Sequence, residues 1–246
     1  MPISEEIDNI LAKDPAARSR LEVVLCYPGF HAVSVHRFSH FLWENNFHTA
    51  ARFVSQLVRV WTGIEIHPGA QIGSRVFIDH GMGVVIGETT IVGNDVVIYQ
   101  GVTLGAGAAA RKGAQTRGQK RHPTLSDNVV VGSGAEIQGD ITIGENVQVA
   151  SGSIVLKDVP PNSVVVGVPG RVVYRDGKKV SAEAVPDIEA EAIKALKDRV
   201  AQLEKKLDVF SRQGGSHAAA QFEETVTSDT LNPDDPVDVF LHGAGI

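Results

Sequence analysis

Aliphatic residues recur every six positions through the middle of this chain. Most blocks carry a second aliphatic residue two places after the first, as in Val84 with Ile86 and Val102 with Leu104. A period of six with this spacing predicts a parallel β-helix, in which short strands stack and each first position points into a thin core. The blocks begin at Ile66, Ile72, Ile78, Val84, Thr90, Val96 and Val102, and again at Pro123, Val129, Ala135, Ile141, Val147, Ser153, Val159 and Val165.

One long interruption breaks this rhythm. Val102 and Pro123 are 21 positions apart, which is not a multiple of six, so residues 108–122 must leave the β-helix and return. These fifteen residues are rich in Gly, Ala and cations and have too little apolar content for a core of their own. We therefore predict a protruding loop that ends at Arg121 and His122. Long loops of this kind are usually functional or disordered.

The residues before the repeats have a helical pattern. Residues 31–43 follow a turn at Pro28-Gly29, and residues 50–61 place apolar side chains on one face. Two or three helices are therefore expected ahead of the β-helix.

Two histidines of this helical region, His36 and His40, are four positions apart and could present two metal ligands on one helical face. Glu44, four positions after His40, is the only other possible ligand within one helical turn of the pair. The sequence favours the alternative, in which both rings pack between helices or against a neighbouring subunit.

A second helical pattern follows the repeats. Its apolar positions step alternately by three and four residues, which is a heptad seam. A helix with fewer than three heptads is only marginally stable by itself. Copies of it should therefore associate only where the preceding domain already holds the chains together. Val at an a position with Leu at d favours dimers, whereas a trimeric β-helix would impose three strands; a single amphipathic helix is the alternative. The seam consists of Ile193, Leu196, Val200, Leu203, Leu207 and Phe210.

The chain is thus predicted to contain four parts. Residues 1–63 form a helical region, residues 64–175 a β-helix with the protruding loop 108–122, and residues 176–210 a linker and heptad helix. Residues 211–246 are polar, acidic and rich in Gly and Pro, so a disordered tail is expected. Its last ten residues turn apolar again, which suggests a docking peptide; an unused terminus is the alternative.

Composition limits the setting in which the protein works. The single cysteine, Cys26, cannot form an internal disulfide, and the first residues lack the features of a secretory signal. No apolar run reaches the roughly 20 residues that span a bilayer. The net charge is −6, and residues 209–246 hold six carboxylates against one arginine, so the body is near neutral. We expect a cytoplasmic protein that binds neither membranes nor nucleic acid.

Two groups of side chains could carry chemistry. Glu65 and His80 are fifteen positions apart, so on a β-helix of about 18 residues per turn they lie on adjacent turns. A carboxylate–imidazole pair is a common general base, although a single histidine on a β-helix is more often only a solvated side chain. Arg121 and His122 combine a bidentate carboxylate clamp with a proton-handling group at the end of the loop.

A series of short motifs makes a more specific pattern. The motifs are Asp14-Pro15, the stretch from Pro28 to Trp43, the stretch from Gly63 to Pro68, Asp79-His80, Gly87-Glu88-Thr89, the stretch from Gly101 to Gly105, and Arg121-His122-Pro123. Their order resembles that of the serine O-acetyltransferases, and the similarity extends from about residue 10 to residue 173.

The resemblance implies an all-β left-handed parallel β-helix of hexapeptide repeats, preceded by an N-terminal α-helical segment and followed by the heptad helix and tail. It also implies a homotrimer, or a dimer of trimers, with active sites between subunits. Such enzymes transfer acetyl from acetyl-CoA, a co-substrate, to the hydroxyl of L-serine in cysteine biosynthesis. No permanently bound cofactor or metal is implied, and L-cysteine is the expected feedback inhibitor.

The resemblance also implies roles for individual residues. His80 would be the general base and Glu65 its orienting carboxylate, at a position where many relatives have Asp. Asp14 and Asp79 would hold the serine ammonium group.

Other matched positions would bind the rest of the two substrates. Arg121 would hold the serine carboxylate, His122 would hydrogen-bond the substrate, and Glu88 matches a further acidic position near the site. The residues implied in CoA binding are Gly105, Ala106, Ser133 and Ser151.

Two further features bear on the resemblance. After the Val-Thr-Leu segment the chain has Gly105-Ala106-Gly107 where the family usually has Gly-Gly-Thr-Gly-Lys, and about seven additional residues precede Arg121. The resemblance also implies that Ile246 inserts into the active site of a partner enzyme, O-acetylserine sulfhydrylase.

Three other functions are consistent with the repeats alone. A different acetyltransferase of this fold could act on a sugar or a small amine, but Asp14 with Arg121-His122 suits a zwitterionic amino acid. A γ-type carbonic anhydrase would need three zinc-binding histidines, and the β-helix region offers only His67, His80 and His122. A non-catalytic scaffold that binds through its tail is the third alternative.

Overall fold

The computed structural model describes residues 3–180 and 188–212. Within them, four helices precede the first strand, where the sequence predicted two or three: α1 (Ile3–Lys13), α2 (Arg20–Cys26), α3 (Pro28–Glu44) and α4 (His48–Thr62). The two short helices α1 and α2 lie outside the two patterned stretches on which that prediction rested. A fifth helix, α5 (Ile188–Arg212), contains the predicted heptad seam. No helix of the described residues is both long and apolar enough to cross a membrane.

Short parallel strands form the body of the protein. Each strand from β1 to β10 pairs with the strand three places later, and β12 pairs with β14. This repeat of three builds a triangular prism with three sheets, as the hexad period predicts. The first sheet contains β1 (Glu65–Ile66), β4 (Val85–Ile86), β7 (Thr103–Gly105), β10 (Glu136–Gln138) and β13 (Ile154–Val155). The second contains β2 (Gln71–Ile72), β5 (Ile91–Val92), β8 (Thr124–Leu125) and β11 (Thr142–Ile143). The third contains β3 (Phe77–Ile78), β6 (Val97–Ile98), β9 (Val130–Val131), β12 (Gln148–Val149) and β14 (Ser163–Val166), extended by the antiparallel strands β15 (Arg171–Arg175) and β16 (Lys178–Lys179).

The prism is filled by the repeated aliphatic positions. Ile86, Ile98, Leu104 and Ile137 are fully buried and belong to one continuous core. Thr90 takes an aliphatic place in this stack, and its hydroxyl oxygen is buried without a hydrogen-bond partner.

Two edges of the prism carry the candidate site residues. We call the edge between the first and second sheets the first corner, and the edge between the third and first sheets the third corner.

The excursion at residues 108–122 is more ordered than the predicted loop. Gly107–Thr116 forms a 3₁₀ helix, interrupted at Gly113, whose φ is 51°. The Ala-rich composition of this stretch favours helical turns, although the stretch has no apolar periodicity that would predict a helix. The excursion leaves after β7 and returns before β8, so both its ends lie at the first corner.

Helix α3 anchors the helical region to the prism. A side chain at Gly29 would place its Cβ 2.0 Å from the carbonyl oxygen of Ile78, so only glycine permits this approach. Further along α3, His36 Nε2 donates to the Ala70 carbonyl (3.1 Å) and His40 Nδ1 donates to the Pro68 carbonyl (2.7 Å). Both rings therefore bond to the β-helix, whereas the sequence favoured packing between helices or against a neighbouring subunit. The described residues contain no cluster of His, Cys, Asp or Glu placed to hold a metal ion.

The C-terminal part forms a separate unit. The linker and heptad segment predicted at residues 176–210 contains strand β16 and most of α5, which continues to Arg212. The predicted disordered tail lies almost entirely outside the described residues, as does its terminal Ile246.

Candidate active site

The third corner presents His80 to solvent. Asp79 and His80 follow β3 directly, and His80 adopts a left-handed backbone conformation with a φ of 58°. The next residue closes a tight turn, because the Gly81 N–H donates to the Asp79 carbonyl (2.6 Å). The His80 side chain is 73% exposed, and its Nε2 lies 3.9 Å from Asp79 Oδ1. A tight turn thus displays an accessible imidazole beside a carboxylate.

Asp14 joins this corner from the helical region. Its Oδ2 accepts a hydrogen bond from the Tyr27 hydroxyl (2.6 Å), and its Oδ1 accepts from the Ala16 N–H (2.8 Å). These bonds, chiefly the one from Tyr27, lower the pKa of Asp14, and the nearby His80 contributes in the same direction. Burial and Asp14 together raise the pKa of Tyr27, and Asp79 adds to the effect. Asp14, Tyr27, Asp79 and His80 therefore form one cluster, in which sequence reasoning missed only Tyr27.

Glu65 lies near the same corner but has another partner. It opens β1, and its Oε2 lies 3.2 Å from Nε of Arg59 on α4. Among the residues described, no hydrogen bond joins Glu65 to His80, and the carboxylate beside the imidazole belongs to Asp79. The structure thus does not bring the predicted pair into contact, and the orienting role of Glu65 stays a prediction.

The first corner holds His122 in a buried, fixed position. Its side chain packs against Gly87, where an added Cβ would lie 2.0 Å from His122 Cδ2. Its Nδ1 accepts from the Thr89 N–H (3.2 Å) and contacts the Thr89 hydroxyl oxygen at 2.9 Å. Burial, and secondarily Arg121, lowers the pKa of His122 to about 4. The ring is therefore neutral at pH 7 and carries its proton on Nε2, which makes Nε2 a hydrogen-bond donor.

Arg121 and Glu88 form an ion pair at the same corner. Nη1 of Arg121 also donates to the carbonyls of Thr116 (3.4 Å) and Gln119 (3.3 Å) within the excursion. The ion pair with Glu88 ties the end of the excursion to the prism. Burial would raise the pKa of Glu88, but the hydrogen bond and charge of Arg121 outweigh it, so the pKa is lowered. The guanidinium is thus pre-oriented by a carboxylate.

His67 extends this cluster towards the helices. Its Nδ1 accepts from the Gly69 N–H (3.0 Å), and its ring meets that of Trp43 edge to face, with centroids 4.9 Å apart. Burial and the charge of Arg52 lower the pKa of His67 to about 4. Nη1 of Arg52 is itself buried without a hydrogen-bond partner. Sequence reasoning weighed His67 as a zinc ligand and included Trp43 and His67 in matched motifs without giving either a role in the site. It missed Arg52, which lies in no repeat or matched motif.

These side chains line a groove of about 880 Å³ between α3, α4 and the excursion. Its size is in the range of small-molecule sites. The residues that matter here are Trp43, Arg52, His67, Glu88, Ala106 and Arg121.

The residues predicted to bind CoA are divided between the two corners. Gly105 ends β7 and Ala106 follows it, so both lie at the first corner. Ser133 and Ser151 lie at the third corner, in the turns above His80. Backbone hydrogen bonds stack these turns, including one from the Gly152 N–H to the Ser133 carbonyl (2.9 Å).

The same division applies to the predicted serine-binding residues. One side of the prism is six residues long, which at about 3.3 Å per residue is roughly 20 Å. His80 and Asp79 occupy one edge of the first sheet, and Arg121 and His122 occupy the other. One serine molecule cannot bridge these two groups within a single chain.

Comparison with known proteins first defines the class. Residues 122–157 match the family model for the bacterial transferase hexapeptide (six repeats). The fold also matches the crystal structure of a serine acetyltransferase from Neisseria gonorrhoeae in complex with serine, with a TM-score of 0.64, 37% identity, and coverage of 69% of this chain and 66% of that one. A soybean serine acetyltransferase complexed with serine gives a TM-score of 0.65 and 38% identity over 70% of this chain and 68% of that one. The fold is therefore the left-handed parallel β-helix of hexapeptide-repeat transferases, as predicted.

Sequence comparison narrows the class to one family. The chain is 48% identical to a serine acetyltransferase of Synechococcus elongatus over 96% of both sequences. It is 49% identical to that of Bacillus subtilis, over 84% of this chain and 94% of the relative. The chain belongs to the serine acetyltransferase family.

Proposed function

We propose that this enzyme transfers the acetyl group of acetyl-CoA to the hydroxyl of L-serine, giving O-acetyl-L-serine and CoA, with His80 as general base. The observation that carries the assignment within the family is the exposed His80 imidazole, held beside Asp79 and Asp14. The imidazole takes the hydroxyl proton as the serine oxygen attacks the thioester carbonyl. The tetrahedral intermediate then expels CoA as a thiolate, which needs little acid assistance and finally receives the proton.

The two corners recognise opposite ends of the amino acid. Asp14 is kept ionised by Tyr27 and, with Asp79, binds the serine ammonium group. Arg121 binds the carboxylate, and the Nε2–H of His122 donates to the substrate. Glu88 orients Arg121 through their ion pair. Glu65 orients His80 only if the Arg59 pair opens, so Glu65→Gln should cost less activity than loss of His80.

The separation of the corners supports an active site shared between subunits. The third corner of one chain supplies His80, and the first corner of its neighbour supplies Arg121 and His122. Three such heterologous contacts close a ring, so we propose a homotrimer; pairing of trimers into a hexamer is compatible with it.

The co-substrate follows the same division. Acetyl-CoA lies between Gly105 and Ala106 of one chain and the stacked turns at Ser133 and Ser151 of its neighbour, and no cofactor is permanently bound. The relatives include a serine acetyltransferase in complex with cysteine. L-Cysteine shares the ammonium and carboxylate groups of serine, so we propose it as the feedback inhibitor at this site.

Two further parts of the proposal rest on sequence. Ile246, which lies outside the described residues, docks on O-acetylserine sulfhydrylase. The single cysteine and near-neutral body fit a cytoplasmic enzyme of cysteine biosynthesis without nucleic-acid partners.

Release of CoA thiol across a panel of acceptors tests the reaction. L-Serine should be preferred over sugars and simple amines, because those lack one or both charged groups that the corners recognise. Preference for a sugar would favour another acetyltransferase of this fold. No release with any acceptor would favour a scaffold.

Mixed oligomers test the shared site. Chains carrying His80→Asn and chains carrying His122→Asn should each be nearly inactive. When the two are refolded together in equal amounts, about a quarter of the sites between neighbours combine two intact halves. Recovery towards that fraction supports the shared site. No recovery in verified mixed oligomers would place both residues in one chain's site.

A further inference from the structure

Helix α5 carries an apolar stripe that the proposed reaction does not use. The stripe follows the heptad spacing, with Ile193, Val200 and Leu207 at a positions and Leu196 and Leu203 at d positions. All five side chains are exposed, between 47% and 67%. Exposed apolar stripes of this regularity are normally covered in the functional assembly.

The stripe matches a second copy of itself. Heptad seams pack by inserting a and d side chains of one helix between those of an identical, parallel helix. In a parallel pair, a g residue of one helix approaches the e residue five positions later on the other. Arg199 is at a g position and Glu204 at the following e position, so each interface would join opposite charges. This complementarity argues for another copy of the chain as the occupant.

We propose that α5 forms a parallel three-stranded coiled coil with the α5 helices of two other copies of this chain. The number of strands rests on the trimer proposed above, because the β-helix then delivers three helices together. Gathering the chains raises the local concentration of a helix too short to associate alone. The coiled coil in turn holds the trimer together on dilution, which keeps the shared active sites assembled.

Site-specific crosslinking tests the proposal in the full-length chain. The exposed Cys26 is first replaced by serine. Leu203→Cys then places one thiol in the seam, and Lys205→Cys, at an f position, places one on the opposite face as a matched control. A short bismaleimide should couple up to two of every three chains at Leu203→Cys, because one thiol per chain links only one pair within a trimer. Coupling at Lys205→Cys should stay near background.

Several outcomes would overturn the proposal. Equal coupling at both positions would indicate independent helices on a flexible connection. Coupling of nearly all chains at Leu203→Cys would indicate two strands rather than three. CoA release, measured on the same preparations, shows separately whether the enzyme is active, so failure of the proposed reaction cannot be mistaken for failure of the coil.

Charge reversal tests the parallel pairing. In the Leu203→Cys background, Arg199→Glu should lower coupling by roughly twofold or more, because it sets like charges against each other. Adding Glu204→Arg should restore coupling. Arg199 and Glu204 do not face each other on one helix, so restoration reports contact between chains. Absence of restoration would exclude this pairing.

Discussion

The first and third corners of the prism each hold a histidine that we propose contacts serine, and these two histidines lie in opposite environments. His122 at the first corner is only 8% exposed, accepts a hydrogen bond from Thr89 and is neutral at pH 7. The His80 side chain at the third corner is 73% exposed, and in the described part of the chain it makes only a long contact with Asp79. One chain therefore preorganises the recognition half of the site. The half that holds His80 is open, and in the site proposed above it is completed by substrate and a neighbouring chain.

The local chain explains the difference. The first corner is covered by α3, α4 and the excursion, so its polar groups lose water and must bond to each other. Glycines at positions 81 and 83 shape the third corner, with φ of 77° and 78°, and leave His80 uncovered. A general base must reach the substrate, whereas a group that positions substrate gains from rigidity.

Replacement of the exposed His80 should have the largest effect on activity. His80→Asn is expected to lower kcat by ~10²–10⁴, the range for loss of a general base. Asn is preferable to Ala because it tolerates the left-handed backbone of this position. Steady-state kinetics with L-serine and acetyl-CoA measure the effect.

The fold should survive this change, because the side chain lies outside the core. Light scattering and circular dichroism of the variant serve as the control. Turnover close to that of the unmodified enzyme would remove His80 from the role of base.

Displacement of the buried His122 ring should have the next largest effect on activity. In Gly87→Ala the new methyl group would overlap His122 Cδ2, so the ring must move. Misplacement of about 1 Å can cost ~10²-fold in rate, and we expect a loss of that order in kcat/KM for serine.

A double variant shows whether the effect passes through the ring. Gly87→Ala combined with His122→Asn should be little worse than His122→Asn alone. Fully additive losses would mean that Gly87 acts through something other than His122.

Sequence predicted the prism better than the contents of its corners. The hexad period determines strand positions and places residues 79–80 and 88 at the turns, because side-chain direction follows the repeat. The contact of Tyr27 with Asp14 joins the α2–α3 junction to the end of α1, and that of Trp43 with His67 joins a helix to the prism. No period encodes either contact. Glu65 shows the same limit: its distance from His80 along the chain suggested contact, but Arg59 competes for the carboxylate.

Acidification should weaken the first corner through its buried imidazoles. The pKa values of His67 and His122 are about 4 when folded, against 6.5 for a free histidine. Above pH 6.5 both imidazoles are neutral in the folded and in the unfolded chain, so they do not change the free energy of unfolding. Between pH 6.5 and 4 the unfolded chain binds protons that the folded chain excludes, so stability falls as pH falls. The Tm should therefore decrease from pH 7 to 4.5.

The variant His122→Asn isolates one of these groups. Its Tm should depend less steeply on pH over the same range, because the variant lacks one of the two imidazoles that bind a proton only after unfolding. An unchanged slope, or a flat profile in the unmodified protein, would show that the rings are accessible to protons in the folded state.

The smallest expected effect concerns Thr90, which lies in the core stack at the first corner. Within the described part of that stack, its hydroxyl is the one buried side-chain group without a hydrogen-bond partner. The Thr90 hydroxyl is fully buried without a partner, so Thr90→Val should raise stability by about 1 kcal/mol through removal of that desolvation cost. Thr62 is the matched control, because its hydroxyl donates to the Val58 carbonyl (2.7 Å) and accepts from the Ile64 N–H (3.2 Å). Thr62→Val should therefore destabilise the protein. Chemical denaturation of both variants measures the two signs, and a loss of stability in Thr90→Val would mean that its hydroxyl has a partner after all, such as buried water.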